Sequence, residues 1–382
     1  AIKILKSKLK NSNPLALVGE HTDLETGFAI QKFMSHFGKD NIECRTDNQS
    51  ILPILDSYRF NTPIVNIEDA DLVILCGTNP KIESPIINHK IFKSYNSGAE
   101  VFNIGDDILL NYPTHYLGES LSELNNDLLK KHLKKATNPI LIIGSGFLNQ
   151  LNSNDTIKSL FSFASKNKII SDGKNNLNFL SPYASRVGQL LLGNTSPDNC
   201  QPYTKLKKKS FDTILSFGSE HIADSAFKES FKVYFGHHGD EGAMSADIVL
   251  PTPLYTEKNG IFINIEGRPQ EAKKCHNPIG EAKEEWKILK ELSNQLSLNF
   301  EINTFDELRQ DLSHNYPNLV NFHEIIISSN KYEDQSNISF EGSSCIYPIQ
   351  NFYMSDIISK NSKTMAKCVE DILSKPLLEK SA

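Results

Sequence analysis

A series of short, almost wholly apolar runs sets the limits on what this chain can fold into. They stand at 15–18, 72–76, 100–104, 140–143, 168–170, 213–217 and 232–235, and several close on glycine: Gly19, Gly77, Gly105, Gly144, Gly218 and Gly236. A strand that is apolar at every position, rather than at every second one, has to be covered on both faces. That is the condition of a parallel sheet sandwiched between helices. Glycine at the strand end lets the chain turn sharply into the next element.

Helix starts lie between these runs. Thr22-Asp23-Leu24-Glu25 reads as a capping box, with a helix to about His36 and Gly38 as its stop. Ser84-Pro85 offers an N-cap and a first-turn proline for a helix over 86–94. Ser120-Leu121-Ser122-Glu123 opens a helix through about Lys135, and Thr304-Phe305-Asp306-Glu307 opens another over 305–314. Strands alternating with helices predict an α/β, doubly wound fold with mostly parallel sheets.

At 382 residues the chain exceeds one ordinary core, so two or three units are expected. The break at Asn138-Pro139 divides a first α/β unit, 1–137, from a second, 138–280. The stretch 172–193 has few clear periods and reads as a crossing between them. A mainly helical C-terminal region, 281–382, follows, with helices over 281–298 and 305–314, an irregular stretch around 332–347 and an amphipathic segment over 356–373.

A net charge of −6 gives no electrostatic reason to expect nucleic acid. The one basic run, Lys205 to Lys209, reads as a solvated loop. No apolar run approaches the ~20 residues of a membrane-spanning helix, so no direct membrane insertion is expected. The opening residues Ala1 to Lys6 lack the apolar core of a secretory signal. The six cysteines (Cys44, Cys76, Cys200, Cys275, Cys345, Cys368) form no C-x-x-C and offer no local ligand set for zinc or a ferredoxin-type cluster. Scattered thiols of this kind fit a reducing compartment, with Cys76 as a small core residue.

Several motifs invite a chemical reading, and each has a plainer one. Gly144-Ser145-Gly146 resembles the opening of a dinucleotide-binding loop, but the third glycine position holds Asn149. A tight strand-to-helix turn explains it. Gly77-Thr78-Asn79-Pro80 stands at a strand's C-terminal end, where such sheets place ligands, and equally closes a turn on local backbone. His237-His238 with Asp240 and Glu241 suggests a metal. Adjacent residues of an extended segment point to opposite faces, however, so the pair is not expected to share an ion. Cys275-His276 fails likewise. Asp106-Asp107 and Glu284-Glu285 are expected to be exposed. There is no G-x-S-x-G, H-E-x-x-H or Walker loop. No residue is assigned a catalytic, cofactor-binding or metal-binding role.

One resemblance gathers the remaining signals. The block Ser245-Ala246-Asp247-Ile248-Val249-Leu250-Pro251, then Tyr255-Thr256-Glu257-Lys258 and Asn264-Ile265-Glu266-Gly267-Arg268, resembles the molybdopterin-oxidoreductase-like part of the largest iron–sulfur subunit of NADH:ubiquinone oxidoreductase, respiratory complex I. So do Ile67 to Pro80 with Glu83 to Asn88, and Asn351 to Asp356 with Thr364 to Val369, in the manner of the mitochondrial members. The resemblance implies a fold in two α/β units. In molybdoenzymes this fold clamps a pterin dinucleotide; in complex I it serves as structure in the peripheral arm. It implies no cofactor in this chain. Iron–sulfur clusters are expected on a separate, ferredoxin-like polypeptide, the counterpart of the missing N-terminal half. The expected function is a non-catalytic subunit, or split half, in the peripheral arm. It would lie on the matrix side of the mitochondrial inner membrane, among other peripheral-arm subunits. It would not be an enzyme on its own but a component of the proton-translocating NADH:ubiquinone reductase. The alternative is a pterin-binding fragment of a formate-dehydrogenase-like molybdoenzyme. A free-standing dinucleotide-dependent oxidoreductase would rest on Gly144-Ser145-Gly146 alone.

Overall fold

The structure, a computed structural model, describes residues 1–151, 154–171, 173–197, 202–326, 339–340, 345–347, 349 and 351–373. In chain order its strands are β1 (Pro14–Val18), β2 (Ile42–Glu43), β3 (Leu72–Cys76), β4 (Glu100–Ile104), β5 (His115–Gly118), β6 (Pro139–Gly144), β7 (Ile170–Ser171), β8 (Lys174–Asn175), β9 (Leu177–Leu180), β10 (Thr213–Phe217), β11 (Phe231–Gly236), β12 (Ile248–Pro251), β13 (Gly260–Ile263) and β14 (Pro269–Ala272). Ten of them make two five-stranded sheets. The first has the order β12-β11-β10-β1-β2 and the second β5-β4-β3-β6-β9, and every pairing in both is parallel. The strand pairs β7–β8 and β13–β14 are antiparallel. The fold is α/β and doubly wound.

The all-apolar strands have the cause expected of them. β1, β3, β6 and β10 are buried along their whole length. Successive side chains leave opposite faces of a strand. Leu72, Ile74 and Cys76 of β3 therefore join one core and Val73 and Leu75 another. Leu141 and Ile143 of β6 go with the former, Ile140 and Ile142 with the latter.

The division into units differs from the boundary expected at residue 138. β3 and β6 stand on either side of that point, yet they are paired neighbours, Leu72 opposite Pro139 through Cys76 opposite Ile143. The second sheet is instead an insertion, residues 72–180, between the two halves of the first. β1 pairs with β10 from the far side of that insertion. Nor do the later helices form a region of their own. Trp286, Leu289 and Leu292 of helix Glu285–Leu296, and Leu308 and Leu312 of helix Phe305–Asn315, share the core that holds Ala16 and Val18 of β1. The C-terminal amphipathic segment is not one helix. It breaks into Ile357–Lys360, Lys363–Cys368 and a π-type turn, Val369–Leu373, with no buried residue among them. Most of the irregular stretch expected at 332–347 lies outside the described residues. Among the described residues no helix is long and apolar enough to cross a membrane.

Local signals shift by a residue or two. The helix Leu24–Met34 is capped by Asp23, not Thr22. Asp23 Oδ1 accepts from Thr26 N–H at 2.8 Å, while Glu25 turns away to accept from Ile261 N–H at 2.9 Å. Helix Pro85–Asn96 starts at Pro85 as expected. The helix expected after Ser120 splits into Leu121–Asn125 and Asp127–Leu133, each with its own side-chain cap. Thr304 does cap its helix, accepting from Glu307 N–H at 3.1 Å. The stretch 172–193 holds edge strand β9 and helix Arg186–Leu192. The polar residue within β9 hid it. Asn178 is fully buried, donating to Thr62 Oγ1 at 2.9 Å and accepting from Thr62 N–H at 2.8 Å.

Candidate functional site

In an open parallel sheet, ligands bind outside the carboxyl ends of the strands where the strand order reverses. Each sheet has one such point. In the first it lies between β1 and β10; in the second, between β3 and β6. The loops that follow these strands are the segments Gly19–Thr22, Gly218–His221, Gly77–Asn79 and Gly144–Gly146. Two of the four were singled out from sequence; the crevice of the first sheet was not.

That first crevice is a cavity of about 70 Å³. It is lined by Glu20, His21, Gly218, Glu220, His221, His237, Lys258, Glu285, Ile357 and Lys360, with Phe217, Phe235 and Tyr255 among its other walls. Titratable groups converge on it, and the lysines among them are answered by carboxylates. Lys258 is buried and bridges two carboxylates, Asp23 Oδ2 and Glu285 Oε2, each at 2.7 Å. Burial alone would push its ammonium down. The two carboxylates overcome this and hold it above its ordinary range. Glu285, expected at the surface, is 8 % exposed because it opens a helix against the N-terminus of Leu24–Met34 and meets Lys258 there. Lys360 pairs with Glu220 at 3.0 Å. Burial pushes the Glu20 carboxyl up to about 7, with the Asp47 carboxylate adding to it. Burial also lowers His21 and His221, and takes His237 down to about 4 with help from His238. These imidazoles are neutral at physiological pH.

The expectation that His237 and His238 diverge fails. β11 has ended at Gly236, so the pair sits in a bend rather than a strand, and the two Nδ1 atoms lie 2.6 Å apart with the rings edge to face. Among the described residues no group of three His, Cys, Asp or Glu could hold a metal ion. Cys275 and His276 are both exposed, and Asp106 and Asp107 face solvent.

In the second crevice Gly77 has φ +61°, and a Cβ there would stand 2.5 Å from the Phe147 ring, so only glycine fits. Thr78 Oγ1 donates to Glu83 Oε2 at 2.8 Å instead of bonding backbone. Burial raises the Glu83 carboxyl to about 7. The turn Gly144-Ser145-Gly146 runs into a four-residue helix, Ser145–Leu148, too short to present a useful dipole.

A pterin dinucleotide, which the sequence resemblance implies for this fold elsewhere, is bulky and anionic. It would need free backbone donors or cations at these crevices. The donors of the glycines are engaged: Gly19 with Phe217 O (2.9 Å), Gly218 with Phe235 O (2.8 Å), Gly77 with Ile104 O (2.8 Å), Gly105 with Gly118 O (2.9 Å) and Gly146 with Gly77 O (3.0 Å). The cations Lys258 and Lys360 are paired with carboxylates. These glycine donors and these two lysines are therefore not free to hold such a group.

Comparison with known proteins agrees with the geometry of the fold. The sequence model of the molybdopterin oxidoreductase family matches residues 1–295, and that of the C-terminal region of the G-type subunit of NADH-ubiquinone oxidoreductase matches residues 326–368. The G-type subunit of NADH-quinone oxidoreductase from Rickettsia bellii is 34% identical over 97% of this chain and 55% of its own length. The mitochondrial 78 kDa subunit of NADH-ubiquinone oxidoreductase from Candida albicans is 34% identical over 94% of the chain and 52% of its own. The 75 kDa subunit from Reclinomonas americana is 31% identical over 96% and 56%. The chain thus spans about half the length of the curated relatives it matches. Among solved structures, the formyltransferase/hydrolase complex of Methylorubrum extorquens shares the fold alone, with a TM-score of 0.56 at 12% identity over 78% of this chain and 95% of the other. From its doubly wound sheets to its C-terminal segment, this chain belongs to the molybdopterin oxidoreductase family and carries the C-terminal region of the G-type, or 75 kDa, subunit of NADH-ubiquinone oxidoreductase.

Proposed function

We propose that the chain is a non-catalytic structural component, or split half, of the peripheral arm of mitochondrial respiratory complex I. It lies on the matrix side of the inner membrane. It supports electron transfer from NADH to ubiquinone that iron–sulfur clusters on other polypeptides carry, among them a ferredoxin-like one. The observation that carries this reading is the joining, in one chain, of a molybdopterin-oxidoreductase body to the C-terminal region typical of the 75 kDa subunit. The site chemistry supports it. Both lysines at the first crevice are held in ion pairs, Lys258 with Asp23 and Glu285 and Lys360 with Glu220, and no cysteine lines it. Lys258, Asp23 and Glu285 are thereby tied to one another rather than presented to a substrate.

The test is co-migration. From gently solubilised mitochondria the chain should run on a native gel with the peripheral-arm subunits, and a lone monomer band would defeat the reading. Near-stoichiometric molybdenum or tungsten in the purified chain would favour the pterin-binding alternative instead.

A further inference from the structure

The C-terminal segment does not stay on the outside of the molecule. Ser339 N–H donates to Ser159 Oγ at 3.2 Å, and Phe340 rests edge-on against Phe163. Cys345 and Tyr347 then enter the crevice of the second sheet, where the N–H of Ile346 between them donates to Gly146 O at 3.2 Å. The glycines there leave the room that these residues use. A Cβ on Gly146 would come 2.6 Å from Cys345 Sγ; one on Gly105 would come 3.0 Å from Tyr347 Oη and 3.3 Å from Cys345 Sγ. Tyr347 is 8 % exposed and belongs to the core under β3 and β6. Beyond it, Phe352, Ser355 and Asp356 wall a cavity shared with Glu20, His21, Glu83 and Tyr183, loops from both sheets. Ile357 and Lys360 then line the crevice of the first sheet, with Lys360 paired to Glu220 just after β10.

We propose that the described residues between Cys345 and Lys360 are the resident occupants of both switch-point crevices, a strap of the chain's own residues lying where this fold would otherwise take an extended nucleotide. It is held at both ends, by a backbone hydrogen bond with glycine gaps in the second crevice and by an ion pair in the first, and between them Phe352, Ser355 and Asp356 line the shared cavity. The segment falls within the part of the chain that matches the C-terminal model of the NADH-ubiquinone oxidoreductase subunit, and beyond the part that matches the molybdopterin oxidoreductase model. The strap is therefore what this branch adds to the shared body. This inference does not rest on membership of complex I, because its test uses the isolated 382-residue chain.

Burial pushes the Cys345 thiol up to about 11, so its labelling by a maleimide reports release of the strap, with exposed Cys275 as an internal reference. In the native chain Cys345 should label ~100-fold or more slowly than Cys275. Tyr347→Ala should raise the Cys345 rate ~10-fold or more by removing the buried ring. Lys360→Glu should raise it ~3- to 5-fold, and adding Glu220→Lys to it should restore slow labelling. GDP, used as the nucleotide probe in equilibrium dialysis, should show no saturable binding to the native chain. If Tyr347→Ala fails to fold, the charge-swap pair still decides. Cys345 labelling as fast as Cys275 in the native chain, no effect of the charge reversal, or saturable GDP binding to the native chain would each overturn the proposal.

Discussion

The two crevices answer one problem with opposite chemistry. Each sheet splays its loops apart where its strand order reverses, and each gap has to be filled. In the second sheet it is filled by shape: Cys345 and Tyr347 pack into space that Gly105 and Gly146 leave open. In the first sheet it is filled by charge: Lys258 between Asp23 and Glu285, and Lys360 against Glu220. A packed apolar gap tolerates little change in volume, whereas a charged one tolerates changes of shape but not the loss of a partner. The contrast can be broken at several points.

The largest effect should come from Lys258→Met. It removes the cation between two buried carboxylates and leaves both unanswered, so it should cost about 3–5 kcal/mol, read from urea unfolding at neutral pH. A loss below about 1 kcal/mol would mean that the triad contributes little. Next comes Gly146→Ala. Its Cβ would meet Cys345 Sγ at 2.6 Å and Gly77 O at 2.7 Å, and overpacking of this kind should cost about 1–3 kcal/mol by the same measurement. Pairing it with a smaller residue at 345 would recover only the part due to the strap.

Glu83→Gln sharpens the comparison through pH. The Glu83 carboxyl is raised from 4.5 to about 7 in the folded chain. The folded form thus holds a proton that the unfolded form releases, and the stability linked to it is complete below 4.5 and lost as pH rises through 7. Glutamine needs no proton, so the substitution should stabilise by roughly 1–2 kcal/mol at pH 8 and by almost nothing at pH 4. Equal unfolding midpoints at both pH values would refute the burial argument. The smallest effect belongs to Lys360→Glu, whose partners are both part-exposed. It should cost about 0.7–1 kcal/mol at low salt, and less at 1 M salt.

Much of the fold could be read from the chain because both faces of each sheet are covered. β3, β4 and β10 begin and end where their apolar runs do. Pairing was not readable. An apolar run does not name its neighbour, and nothing near Leu15 points to Ile214, its partner in the first sheet. The edge strands were lost because β2 is two residues long and β9 is interrupted by Asn178. Sequence reasoning found the turns at Gly77 and Gly144 and missed Glu20, Lys258 and Glu285. A carboxylate that opens a helix looks the same in sequence whether it faces water or a buried ammonium. The strap was the least visible element, since an irregular segment that fits glycine gaps has no period.

The first sheet joins a strand near residue 15 to one near residue 215, with the second sheet's strands between them in the chain. At ribosomal speeds of about 5–20 residues per second, β1 must wait some 10–40 s for its partner to be synthesised. During that interval the side of β1 away from β2 is an unpaired apolar edge, open to chaperones or to other nascent chains. The insert, whose strands are all close by in order, completes its sheet first. Biogenesis of this polypeptide therefore depends on how well β1 is sheltered until β10 arrives.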